Sequence, residues 1–238
     1  MNFKAIFIDI DDTLLDYVPC CREAFDRAMD AIGSEGVKEL KSEDELFDLF
    51  FSISGRLFSE AKHGKYTIAQ VMELYPQQFI EAIGYPASDV DPFKHAFRAA
   101  WGETHTLVDG AKETLEALHQ QGYRLFAASN SFGHLQRSRL ERAGILHLFE
   151  GTFISMDIGY DKPDIRFFEH ALAEVNRMGE TVRPEEVLMV GDSMTTDIVG
   201  AQKAGLKTCF FNRRPEEKRD PHSADYEIVR IEDLLRLV

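Results

Sequence analysis

The chain has 238 residues, 44% of them hydrophobic and 29% charged, and a formal net charge of −14 at pH 7. That length is long for one ordinary domain, short for two full ones, and enough to bury a core without staples. The composition excludes a disordered or fibrous chain, and the acidic excess argues against nucleic acid and anionic lipid as partners. The first element in chain order is an apolar run over residues 3–8 that stops abruptly at Asp9, Asp11 and Asp12. A continuous apolar run suits a strand buried on both faces of a parallel sheet, with those acids at its C-terminal end. Residues 17–106 then show helical periods at 23–32, 44–58, 68–83 and 92–101 and almost no strand pattern. Beyond them the alternation is regular. A helix is expected over 111–121, a strand over 123–128 ending in Ser129-Asn130-Ser131, and a helix over 133–143. A further helix is expected over 164–175 with Pro163 near its first turn, then a strand over 187–190 ending in Gly191-Asp192-Ser193. Gly122 and Gly144 fall where helix C-caps want glycine.

This alternation predicts an open α/β fold, with polar residues gathered at strand C-termini. A βαβ unit takes about 30 residues, so the long gap between the first acids and the next strand marks an insertion. The expected organisation is an α/β core from 1–16 and 107–238 and a helical domain from 17–106. The longest apolar runs, such as 5–8 and 187–190, are too short to span a bilayer. The chain opens directly into strand pattern with no cleavable leader, which predicts a cytoplasmic protein. Three cysteines, two of them vicinal (Cys20, Cys21), make no disulfide framework.

Asp9, Asp11, Asp12 and Thr13 form the sharpest chemical signal. Residues i and i+2 of a strand share a face, so Asp9 and Asp11 would sit together and either raise each other's pKa or demand a cation. An acidic helix cap and a calcium loop are the alternatives. The calcium loop fails at its sixth position, which needs glycine and is Leu14. Asp192 and Asp197 supply a second carboxylate pair after another apolar run. Such an oxygen set suits a hard cation, with Mg²⁺ the best match. Ser129 and Asn130 offer a hydroxyl and an amide to an anion, and Lys162 an ammonium; each alone is also an ordinary turn or a solvated charge. The eight histidines have no metal-binding spacing, and no serine elbow, P-loop or dinucleotide fingerprint is present. Arg213, Arg214, Lys218 and Arg219, interleaved with acids, read as a solvated loop. Phe47, Phe50, Phe51 and Phe58 read as helical core, with a ring-stacking platform as the alternative.

Taken in order, these motifs resemble those of the haloacid dehalogenase superfamily in its phosphatase branch, with a helical C1-type cap between the first and second motifs. The resemblance implies an open Rossmann-like parallel core and a phosphomonoesterase working through an aspartyl-phosphate. It implies Asp9 as nucleophile and Asp11 as the acid that protonates the leaving group and then activates water. Ser129, Asn130 and Lys162 would bind the substrate phosphate. Mg²⁺ would be bound by Asp9, the Asp11 carbonyl, Asp192 and, partly at one remove, Asp197. Ser129-Asn130-Ser131, Gln136, Arg139, Lys162-Pro163-Asp164 and the Asp192–Asp197 segment further resemble the noncanonical pyrimidine 5′-nucleotidase group. The implied substrate is a small phosphorylated metabolite, a pyrimidine nucleoside monophosphate first, with phosphoglycolate or a sugar phosphate as the alternative and a phosphomutase behind them. Dehalogenation needs neither Asp11 nor the second carboxylate pair, and a non-catalytic module would not keep all four motifs.

Overall fold

A computed structural model describes residues 3–33, 42–213 and 224–238. Arg214, Lys218 and Arg219, read above as a solvated loop, lie outside the described residues. The chain divides into two compact units, Val18–Thr104 and the pair of segments Met1–Tyr17 and His105–Val238.

The Val18–Thr104 unit is helical. Its helices are α1 (Tyr17–Ala31), α2 (Glu43–Lys62), α3 (Ile68–Ala82) and α4 (Val90–Trp101). Two of them start at reciprocal caps: Ser42 with Glu45 opens α2, and Thr67 with Gln70 opens α3. Apolar residues at helical spacing converge on Phe50, whose ring centroid lies 5.1–5.8 Å from those of Phe25, Tyr75, Phe79, Phe93 and Phe97. Phe47 and Phe50 are buried and Phe51 and Phe58 half-buried. The first two are core, as one of the two sequence readings held, and are not a surface for stacking a ligand.

The other unit is built on six parallel strands: β1 (Ala5–Ile8), β2 (Arg124–Ser129), β3 (Gly151–Ile154), β4 (Val187–Gly191), β5 (Lys207–Phe211) and β6 (Tyr226–Ile228). They lie in the order β3-β2-β1-β4-β5-β6. This is the open α/β sheet expected from the alternation. β1 is central, with Ile8 level with Ala127 of β2 and with Val190 of β4. Its period-2 alternation feeds two cores. Ile6 and Ile8 pack with Leu115 of α5 (Ala111–Gln120) and Leu140 of α6 (Gly133–Arg142). Ala5 and Phe7 pack on the opposite face with Phe167 and Phe168 of α7 (Ile165–Met178). The chain turns back across β1 between β2 and β4, the place where open α/β sheets bind ligands beyond their strand ends.

Several boundaries differ from expectation: α1 begins at Tyr17 where the pattern marked 23, α2 runs on to Lys62 beyond 58, and a smaller shift bears on the site. The helix after Lys162 begins at Ile165, because the Asp164 side chain accepts from the Arg166 N–H and takes the N-cap role. Pro163 therefore precedes the cap, and Lys162 stands in a turn ahead of the helix, closed by the Asp164 N–H donating to the Asp161 carbonyl at 2.9 Å. That segment is held closely by α8 (Val199–Lys203). A Cβ on Gly200 would lie 2.5 Å from Phe168 Cε2 and 2.8 Å from Pro163 Cα. Gly200→Ala is expected to lower unfolding stability by about 1–3 kcal/mol through this overpacking, read from the denaturant midpoint. A change below about 0.5 kcal/mol, typical of an unconstrained surface position, would contradict the close approach.

Candidate active site

Asp9 follows β1 by one residue and stays on the ladder, its N–H donating to the Val190 carbonyl at 2.9 Å. Its side chain meets the Lys162 ammonium. Lys162 Nζ donates to Asp9 Oδ1 at 2.6 Å, to Asp197 Oδ1 at 2.6 Å and to the Ala128 carbonyl at 2.7 Å. The three N–H donors of the ammonium thus meet three acceptors brought by β1, the β4 side and β2. All three charged side chains are buried, with Lys162 4%, Asp9 7% and Asp197 1% exposed. Burial pushes the Asp9 carboxyl above the ordinary carboxylate range, against the opposing pull of Lys162. Burial also disfavours the Lys162 ammonium, but Asp197 and Asp9 outweigh it and hold its pKa above the usual lysine value.

The β4 end explains how Asp197 reaches this point. After Gly191 the chain makes one wide π-type turn over Met194–Ile198, a form frequent at functional sites. The turn brings Asp197 Oδ2 back to accept from the Ser193 N–H at 3.1 Å. A Cβ on Gly191 would lie 2.3 Å from that oxygen, so the strand must end in glycine. Half-buried Asp192 completes a group. Asp9, Asp192 and Asp197 each offer a carboxylate oxygen, all within 4.8 Å of one another.

Asp11 has other partners, although the i, i+2 spacing placed it beside Asp9. Strand geometry stops at Ile8, and by Asp12 the backbone has positive φ (59°). Asp11 instead meets α6: Arg139 Nη1 donates to its Oδ1 at 2.7 Å and Gln136 Nε2 to its Oδ2 at 2.7 Å. Gln136 Nε2 also donates to Ser129 Oγ at 3.0 Å. The Asp11 carboxylate is therefore outside the trio, and its expected metal contact was through the carbonyl only. Asn130 differs more. Its amide donates to the Lys162 carbonyl at 2.8 Å and accepts from the Lys162 N–H at 2.7 Å. Oδ1 and one Nδ2–H hold the Lys162 backbone, which leaves the second Nδ2–H as what this side chain can offer an anion. Arg213 is not a simple solvated charge either: Nη1 donates to Asp12 at 3.4 Å and Nη2 to Asp16 at 2.5 Å.

Gln136 and Arg139 carried no role of their own in the motif reading. The signal was nonetheless present. Gln136, Arg139, Leu140 and Ala143 share the i, i+3, i+4, i+7 stripe of one helix face, and two polar residues in that stripe must find buried partners.

The family of the chain is decided by its overall match. The model of the haloacid dehalogenase-like hydrolase family matches residues 3–205. The chain belongs to that family. The solved structure of YfnB from Bacillus subtilis, described as a HAD-hydrolase and bound to magnesium, superposes with a TM-score of 0.87 at 27% identity, covering 100% of this chain and 99% of that one. The pyrimidine 5′-nucleotidase PynA of Streptococcus pneumoniae is 28% identical, over 99% of this chain and 94% of its own length. The ribulose-1,5-bisphosphate 5-phosphatase of Halopiger xanaduensis is 32% identical, over 93% and 89%. These relatives place the enzyme among the family's phosphatases. Among the described residues no helix is long and apolar enough to cross a membrane.

Removing one partner of a buried ion pair strands the other charge. Lys162→Met is expected to lower unfolding stability by about 3–5 kcal/mol in metal-free buffer near neutral pH, measured by denaturant titration. A loss under about 1 kcal/mol, the size of a surface pair, would contradict the burial of this charge cluster.

Proposed function

We propose that this enzyme is a Mg²⁺-dependent phosphomonoester hydrolase that uses Asp9 as nucleophile and Asp11 as general acid and base. The observation that carries it is the Asp9–Lys162–Asp197 cluster beside Asp192 at the strand ends. The donor set fits a hard divalent cation. Asp9, Asp11, Asp192 and Asp197 stand against two buried cations, Lys162 and Arg139, leaving two negative charges on oxygen ligands. Asp9, Asp192 and the Asp11 carbonyl would hold the ion, with Asp197 acting mainly through Lys162 and Ser193. When bound, Mg²⁺ supplies charge neutralisation for the phosphoryl oxygens and the attacking carboxylate.

The chain's own residues then divide two steps. An Asp9 oxygen forms a bond to phosphorus as the bond from phosphorus to the leaving oxygen breaks, and Asp11 delivers a proton to that oxygen. Water next attacks the phosphorus, gives its proton to Asp11, and releases phosphate with the Asp9 carboxylate restored. Ser129 Oγ donates to a phosphoryl oxygen, and the Lys162 ammonium, its three N–H bonds already engaged, acts on the phosphoryl group through its charge, while Asn130 holds the Lys162 backbone in place.

The proposed substrates are pyrimidine nucleoside 5′-monophosphates, on the strength of the similarity to PynA and of the motifs quoted above. A sugar phosphate is the second reading, favoured by the higher identity to the ribulose bisphosphate phosphatase. In either case we assign choice of leaving group to the helical segment 17–106 acting as a cap, because the strand-end residues recognise only phosphate. The proposed setting is the cytoplasm, with small metabolites and not nucleic acid as partners.

The test is kcat/KM for uridine and thymidine 5′-monophosphates against phosphoglycolate, hexose phosphates and AMP, with Mg²⁺ and after EDTA. The pyrimidine nucleotides are expected to lead by about tenfold, the scale of one modest contact difference, and activity on every substrate to vanish with EDTA and return with Mg²⁺. A tenfold lead by a hexose phosphate or phosphoglycolate would remove the nucleotidase reading, and turnover in metal-free buffer would remove the metal assignment.

A further inference from the structure

Among the described residues Arg139 is one of the largest fully buried side chains, with no exposed surface, and Gln136 one turn before it is likewise fully buried. An arginine placed there costs several kcal/mol of desolvation unless a charge and hydrogen bonds compensate it. Its compensating charge is Asp11. Arg139 Nη1 donates to Asp11 Oδ1 at 2.7 Å and to Gln136 Oε1 at 2.9 Å. The second contact fixes the Gln136 amide, since its oxygen must face Arg139 and its nitrogen must face Asp11 Oδ2 and Ser129 Oγ. Each carboxylate oxygen of Asp11 is thus held by a different donor on α6, which sets the plane as well as the position of the group. The Ser129 hydroxyl, already accepting from Gln136, has its own hydrogen left to donate to an anion.

We infer that Arg139 and Gln136 are positioning residues that aim the Asp11 carboxylate at the leaving-group oxygen and couple that aim to the phosphate-binding hydroxyl of Ser129. This rests on the reading of Asp11 as acid and base. An aspartate beyond the end of a strand has two side-chain torsions to fix, and proton transfer requires its carboxylate within hydrogen-bond reach of the departing oxygen. Misplacement by about 1 Å is enough to lose about a hundredfold in rate. The pair on α6 removes that freedom before substrate arrives. Lys162 and its partners, reached from the opposite face of the sheet, do not contribute to it.

The experiment compares kcat/KM on p-nitrophenyl phosphate, whose leaving group departs with little protonation, and on an alkyl phosphate, whose leaving group needs a proton. Wild type, Asp11→Asn, Gln136→Met, Arg139→Met and Arg139→Lys are measured in the full chain with Mg²⁺, and melting temperatures report folding. Gln136→Met and Arg139→Met are expected to lose about a hundredfold on the alkyl ester and under about tenfold on the nitrophenyl ester. Arg139→Lys, which keeps the charge but not the planar fork, is expected to recover part of the loss. Gln136→Met added to Asp11→Asn should cost little more than Asp11→Asn alone, because both act through one group. If Arg139→Met does not fold, Gln136→Met decides. Equal losses on both esters, or full additivity with Asp11→Asn, would overturn the inference in favour of a structural role. Leaving-group selectivity in Asp11→Asn without any in Gln136→Met would overturn the inference alone, whereas its absence in Asp11→Asn would overturn the role of Asp11 as well.

Discussion

The site depends on one ammonium shared between two buried carboxylates. Asp9 and Asp197 are nearly inaccessible to water, and Lys162 is the cation between them. Without it, two like charges would face each other in a medium where their repulsion is poorly screened. Much of the surrounding architecture serves this contact. The Ala128 carbonyl at the end of β2 takes the third Lys162 proton, Asn130 clamps the Lys162 backbone on both sides, and Gly191 leaves room for the returning Asp197 carboxylate. Gly200 lets α8 close against the Lys162–Pro163 segment.

A second buried cation divides the work. Lys162 comes from the segment preceding α7, on the Phe7 side of the sheet, and serves Asp9. Arg139 comes from α6, on the Ile8 side, and serves Asp11. Two aspartates only two residues apart are thereby placed in different electrostatic settings. One is balanced within a cluster of acids suited to a metal; the other is held by a guanidinium and an amide. In the proposed mechanism the same two residues have different tasks, nucleophile and proton carrier, and separate partners allow each to be set without disturbing the other.

Sequence reasoning reached the fold because its signals were local. Apolar runs ending in acids marked β1 and β4, and glycine caps marked the helices between. The strands Gly151–Ile154, Lys207–Phe211 and Tyr226–Ile228 were not marked, since three to five residues whose pairing comes from neighbours carry little pattern of their own. In the site, Asp9, Ser129 and Asp192 stood out as polar residues at strand ends, while Lys162 was marked by its place just ahead of a helix and Asp197 by its spacing from Asp192. The geometry around Asp11 did not stand out, because a strand rule was extended three residues beyond the strand end at Ile8. Asn130 has a second task that the sequence did not show, because an amide after a strand looks the same in sequence whether it faces an anion or clamps a backbone. Arg139 and Gln136 sit in a helical stripe whose burial only the packing of α6 reveals.

The central claim is that Asp9 carries the phosphoryl group between the two chemical steps. The most direct measurement is to mix the Asp11→Asn variant with labelled p-nitrophenyl phosphate and Mg²⁺, quench in acid, and locate the label by peptide mapping. The account predicts acid-stable, hydroxylamine-labile phosphate on the peptide containing Asp9, and none when Asp9 is also replaced by Asn. Label on another side chain, or label that persists after Asp9 is replaced, would contradict it.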